Sequence, residues 1–194
     1  VQKELPDCTV LDGCIYVSAS LEHPGVLVQH GPILRVVFGP RDPFYISPIL
    51  SAIQSDLCES GIDGVLSTHI QRDALEKFSY VSPIGASGVY LHAVAGDFQK
   101  EGPARELFKS MIREISALAA AMGYPFEKDY VKINLEILSN LSADATTSMQ
   151  RDIMEGKSSE LDGLVMEPLR LAKKYSVSMP CYEEVAKVLC PLEF

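Results

Sequence analysis

The apolar residues of this chain change period once, near residue 67, and that change limits the fold more than any single motif. Before it lie the short β-branched runs CTVLDG, CIYVSASL, GVLVQHG and ILRVVFG, separated by Gly and Pro. His23-Pro24-Gly25 and His30-Gly31-Pro32 read as turns. SPILSAIQSDLCESG then places Ile49, Leu50, Ile53 and Leu57 at helical spacing, with Ser47 as N-cap and Gly61 beyond the end. DGVLST reads as one more strand, ending near Ser67. From Thr68, a cap candidate, the pattern is helical and stays so. THIQRDALEKFSYV, GPARELFKSMIREISALAAAMG, KDYVKINLEILSNL, ATTSMQRDIMEG, SSELDGLVMEPLRLAKKYS and YEEVAKVL are the expected helices. In the second, Pro103 falls near N1 and Gly123 follows the end. Ser158 or Ser159 should cap the fifth, and Pro168 should kink or break it. The expectation is a mixed α/β piece over 1–67 and an all-helical domain over 68–194.

A formal net charge of −9 argues against a nucleic acid or an anionic membrane as partner. No apolar run reaches the roughly 18 residues of a membrane span, and the start VQKELPDCTV lacks the pattern of a secretory signal. Cys8, Cys14, Cys58, Cys181 and Cys190 form no C-x-x-C pair and read as reduced thiols of a cytoplasmic protein. The four histidines are scattered, so no metal site is expected. The chain opens at Val1, in what reads as the end of a helix, and is expected to be a piece of a longer protein.

Lys77 is the first candidate for chemistry. In a helix it shares a face with Ile70, Ala74, Val81 and Ile84. A cation there snorkels, pairs, or acts as acid, base or oxyanion stabiliser. Ser148 and Asp152 are four apart on one helix face, and Glu160 falls in the first turn of the next helix. That arrangement is either plain capping or a corner presenting a hydroxyl and a carboxylate to a cleft. Glu114 can pair with a cation on a solvated face or with Lys77 across helices. GASG, residues 85–88, suits close helix packing and also leaves room for a ligand. No G-x-G-x-x-G after an initial strand, no phosphate-loop motif and no G-x-S-x-G is present.

LEKFSYVSPIGASGV, with TTSMQRDIMEGKSSELDGLVMEPLRLAKKYSVSMP, resembles the C-terminal half of the 2-dehydropantoate 2-reductases, or ketopantoate reductases. Ser148, Met149, Asp152, Ile153, Gly156, Glu160, Leu161, Asp162 and Pro180 fall in register with that family's motif. LPDCTVLDGCIYVSASLEHPGVLVQHGPILRVVFG resembles the last strands of its nucleotide domain. The resemblance implies the end of a Rossmann-type NADP-binding domain over 1–67. The all-α substrate and dimerisation domain over 68–194 would be of the 6-phosphogluconate-dehydrogenase C-terminal-like type. NADP(H) would be bound mainly by an upstream segment that this chain lacks, leaving the chain inactive by itself. The implied reaction reduces 2-dehydropantoate, or a related 2-oxo acid, to the 2-hydroxy acid, with homodimerisation as an option. By the same resemblance Lys77 matches the catalytic lysine and Ser148 the substrate-holding serine. Glu160 matches the glutamate near cofactor ribose and substrate, Glu114 one that tunes the lysine, and the backbone at Ala19 a segment along the nicotinamide; Asp152 joins the substrate side. Val81, Gly85 and Ala145 stand where many members carry substrate-binding asparagines. Two further readings remain: an NADP-binding sensor or interaction module without catalysis, and a β-hydroxyacid-dehydrogenase-like enzyme with another substrate.

Overall fold

The computed structural model describes Glu4, residues 8–42, Tyr45 and residues 47–190. The expected helix end at the start of the chain lies outside the described residues. Two compact units are present, Val1–Ala74 and Leu75–Phe194.

The first unit holds a three-stranded sheet in the order β1-β2-β3. β1 (Leu11–His23) and β2 (Val26–Pro40) form one long antiparallel hairpin, joined by a turn in which Gly25 has φ +85°. Proline followed by a positive-φ glycine is the chemistry of that turn. The four short runs read from the sequence are thus two strands. The second turn signal, at Gly31-Pro32, is instead a bulge. Val17 pairs with Leu34 but Ala19 with Gln29, so four residues of β2 stand opposite Ser18 alone. Gly31 (φ +83°) takes the left-handed backbone there. α1 (Pro48–Glu59) follows, with Ser47 at its N-cap and Gly61 (φ +81°) past its end. β3 (Asp63–Leu66) then pairs parallel to β2. Gly64 on β3 lies directly under α1, where a Cβ would come within 2.9 Å of the Leu57 Cβ. On the other sheet face, Cys14, Val37 and Ile70 are buried together, flanked by Tyr16, Val65 and Ala74.

α2 runs from Ile70 to Leu91. Ser67 rather than Thr68 supplies the side-chain oxygen at its start, accepting from the His69 N–H at 2.9 Å. The second unit continues with α3 (Ala95–Gln99), α4 (Pro103–Ala121), α5 (Tyr130–Ser139) and α6 (Ser148–Met154). A π-helical turn (Asp162–Met166) leads into α7 (Glu167–Tyr175), and α8 (Pro180–Leu189) ends the described chain. α4 carries the core. Met111, Ile115 and Leu118 face a cluster with Val165, Met179, Tyr182 and Val185. Phe108 and Ile112 face a second cluster with Ile84, Phe98 and Leu138. Full burial of side chains of this size stabilises by roughly 1.5–3 kcal/mol each.

Pro83 and Pro168 fall within continuous helical runs, and neither run breaks. Pro83 inside α2 has no N–H for the Ser79 carbonyl, and the Asn134 side-chain amide from α5 donates to it at 3.0 Å. Pro168 likewise has no N–H for the Leu164 carbonyl, and the Ser82 hydroxyl donates to it at 2.6 Å. Of the kink or break expected at Pro168, the break is absent. The helix passes from π to α turns there, with its orphaned acceptor satisfied from α2. The expected cap at Ser158 or Ser159 also moves. Helical residues begin at Leu161, and the Glu160 carbonyl accepts the Leu164 N–H at 2.8 Å.

Candidate active site

The α2 face that bears Lys77 changes along its length. Ile70 is fully buried at one end. Lys77 is half-buried, and Val81, one turn on, is 37% exposed. Beyond it the face is covered by α6. A Cβ on Gly85 would lie 3.1 Å from the Met149 Cε, and one on Gly88 would lie 2.8 Å from the Gln150 carboxamide. The GASG stretch therefore serves close helix packing: its two glycines let α6 lie against α2.

α6 is positioned by local chemistry. Thr147 is its N-cap, accepting the Gln150 N–H, and Gln150 Oε1 in turn accepts the Thr147 N–H at 2.9 Å. This is a capping box, spelled T-x-x-Q in the sequence. Gln150 also donates through Nε2 to the Ala93 carbonyl at 2.7 Å, fixing α6 to the end of α2. Ser148, the first residue of α6, is thereby held exposed beside Met149, whose methyl sits on Gly85. Asp152 follows one turn later, half-buried, and Gly156 (φ +67°) closes the helix.

The remaining candidates have other surroundings. The Ala145 side chain packs against the second core cluster, and its carbonyl accepts the Ala95 N–H at 3.0 Å. Glu160 is exposed, just before the π turn. Both carboxylate oxygens of Glu114 accept backbone N–H groups at the start of α8, from Cys181 at 2.8 Å and Tyr182 at 3.1 Å. Glu114 thus caps α8, which favours an anion at its N-terminus. Burial, and then the Glu114 charge, push the Cys181 thiol up to about 11. Burial holds the Tyr182 hydroxyl well above its usual range, and that hydroxyl lies 2.5 Å from Ser82 Oγ. Ala19 is exposed on β1 of the first unit, opposite Gln29.

Among the described residues no glycine-rich turn leads from a strand into a helix. The chain's βαβ unit, β2-α1-β3, enters α1 between Pro40 and Pro48, two residues without N–H donors. Among the described residues no group of three or more His, Cys, Asp or Glu could hold a metal ion. No helix among them is long and apolar enough to cross a membrane.

Comparison with known proteins gives the family. Residues 69–193 match the family model described as ketopantoate reductase PanE/ApbA C terminal. The uncharacterized oxidoreductase YkpB of Bacillus subtilis is 22% identical over 176 residues, 91% of this chain and 58% of that protein. The 2-dehydropantoate 2-reductase of Aquifex aeolicus is 26% identical over 159 residues, 80% of this chain and 51% of that protein. The chain thus spans little more than half the length of these relatives. Among solved structures, 2-dehydropantoate 2-reductase from Methylococcus capsulatus superposes with a TM-score of 0.85 at 22% identity, covering 99% of this chain and 61% of that one. D-mandelate dehydrogenase with NADH superposes with a TM-score of 0.78 at 18% identity, covering 94% and 62%. With its family match running from the start of α2 past the end of α8, the chain belongs to the ketopantoate reductase PanE/ApbA family and carries that family's C-terminal region.

Proposed function

We propose that the protein carrying this chain reduces 2-dehydropantoate, or a related 2-oxo acid, to the 2-hydroxy acid, and that this chain supplies the substrate side of the site. In this reading the helical unit is of the 6-phosphogluconate-dehydrogenase C-terminal-like type. NADPH is held mainly by residues outside the chain and, when bound, supplies the hydride.

The chain's own residues bind the acid and manage its proton. Reduction of a ketone develops negative charge on its oxygen, which needs a fixed positive charge and then a proton. The Lys77 ammonium provides both from Nζ. Ser148 donates a hydrogen bond to the acid's carboxylate or hydroxyl, with Asp152 beside it. Glu160 and the backbone at Ala19 serve the cofactor side. Glu114 acts through its cap on α8, which holds that helix against α4.

The observation that carries this reading is the placement of Lys77. It stands half-buried where the covered face of α2 gives way to the exposed Val81, and the helix that covers the far end of that face begins with Ser148. The test is kinetic. In the full-length protein, Lys77→Ala should lower kcat for the best 2-oxo acid by about 10²–10⁴, with the far-UV spectrum unchanged. Unaltered turnover of every acid tried would reject Lys77 as the proton donor.

A further inference from the structure

We infer that the Tyr80 hydroxyl binds substrate, donating a hydrogen bond to the carboxylate of the 2-oxo acid while Lys77 meets its ketone oxygen. This rests on the reading of Lys77 as the residue at that ketone.

Tyr80 follows Lys77 by three residues on α2, within the same compact unit. At that spacing the two Cβ atoms lie about 5–6 Å apart. A long helical side chain leans back over the turn before its own Cα, which here is the turn of Lys77. The ring itself is held in place. It meets Phe108 edge-on, with centroids 6.0 Å apart and an interplanar angle of 86°, and it packs against the cluster of Ile84, Ala93, Phe98 and Phe108. The same cluster receives the Ala145 side chain, three residues before Ser148. Tyr80 thus shares its packing with the segment that leads into α6.

The serine hydroxyls around it on α2 are already engaged. Ser79 is buried, donates to the Glu76 carbonyl at 2.7 Å and accepts from Asn134 at 3.1 Å. Ser82 is buried between the Leu164 carbonyl and the Tyr182 hydroxyl. Ser87 is buried and donates to the Pro83 carbonyl. The Tyr80 hydroxyl, on a half-buried side chain, makes no hydrogen bond among the described residues. Burial holds its pKa above the usual tyrosine value, so it is a neutral donor at neutral pH. A polar group withdrawn from water without a partner is unfavourable until a ligand supplies one.

A 2-oxo acid carries its carboxylate on the carbon next to the ketone. With Lys77 Nζ at the ketone oxygen, the carboxylate is the adjoining acceptor for a second donor one turn along α2. A phenol and an ionised carboxylate form a charge-assisted hydrogen bond. Every 2-oxo acid has this group, so the contact is independent of the side chain beyond the ketone.

The closing experiment uses the full-length protein with NADPH and a panel of 2-oxo acids bearing alkyl, aryl and hydroxyalkyl side chains. Tyr80→Phe keeps the ring against Phe108, so the melting temperature should not fall. KM should rise about 10–100-fold, as for loss of a hydrogen bond to a charged group, with kcat unchanged. The rise should be similar for every acid that the protein reduces. An unchanged KM overturns the inference. So does a rise confined to the hydroxyalkyl acids, which would put the Tyr80 hydroxyl on the side chain. A fall in kcat at constant KM, which would put it on the reacting ketone, overturns it too. In each of these cases Lys77→Ala still lowers kcat, and the reductase reading stands. If no 2-oxo acid oxidises NADPH with the parent protein, both readings fall together.

Discussion

The Asn134 side-chain amide donates to the Ser79 carbonyl at 3.0 Å, and that carbonyl is the one Pro83 leaves without an intrahelical partner. Asn134 is 1% exposed, so no water replaces it. Asn134→Ala should cost about 1–3 kcal/mol, the range for a buried acceptor left unpaired. In a Pro83→Ala background residue 83 regains its N–H, and the same substitution should cost much less. A double-mutant cycle by urea denaturation reads this coupling. Additive losses would show that Asn134 does not answer for Pro83.

Ser82 does the same for Pro168 and holds Tyr182 as well. Ser82→Ala strips a partner from the Leu164 carbonyl and from the fully buried Tyr182 hydroxyl, and should destabilise by about 2 kcal/mol or more. Tyr182→Phe leaves the Ser82–Leu164 bond in place and should cost less, about 1 kcal/mol. Thermal melts of the two variants give the order, and the reverse order would contradict it.

The glycines differ in what surrounds them. A Cβ on Gly39 would stand 2.2 Å from the Ser67 backbone oxygen, which is fixed by the parallel pairing of β2 and β3. Gly39→Ala should cost about 3 kcal/mol or more. Gly88→Ala meets the hydrogen-bonded Gln150 carboxamide, so a net loss of about 1 kcal/mol is expected despite the helix propensity of alanine. Gly85→Ala meets only the flexible end of Met149 and should be close to neutral. Denaturant midpoints should rank the three as Gly39, Gly88, Gly85.

Cys181 should stay a thiol until the pH nears 11, chiefly because of burial and secondarily because of Glu114. Its folded pKa is raised above the ordinary 9.0, so its contribution to stability is complete below about pH 9 and declines as pH rises toward 11. In a variant with the other four cysteines replaced by serine, the pH dependence of alkylation measures this directly. Glu114→Gln should lower the value without restoring 9.0, since the larger cause is untouched. A value unchanged by that substitution would separate Glu114 from the thiol.

The helix ends were legible because capping is local. Gly61, Pro103, Gly123 and Gly156 stand within a turn of the backbone groups they affect, so their residue types announce them, whereas Ser47 holds the N-cap position of α1 without a side-chain cap hydrogen bond. The T-x-x-Q box at 147–150 is equally local. Gly31-Pro32 misled because a turn signal and a bulge use the same residues. Only cross-strand pairing, here Val17 with Leu34 and Ala19 with Gln29, distinguishes them.

By itself the sequence determined the change from strand to helical period, many of the helix ends, and the resemblance to the family whose C-terminal model residues 69–193 match. Tertiary structure alone decided which partners particular residues have. Glu114 reaches amides 67 and 68 positions away, and Asn134 a carbonyl 55 away. Met149 fills the space over Gly85. A carbonyl freed by proline must find a donor once it is buried, but which donor depends on how the helices pack.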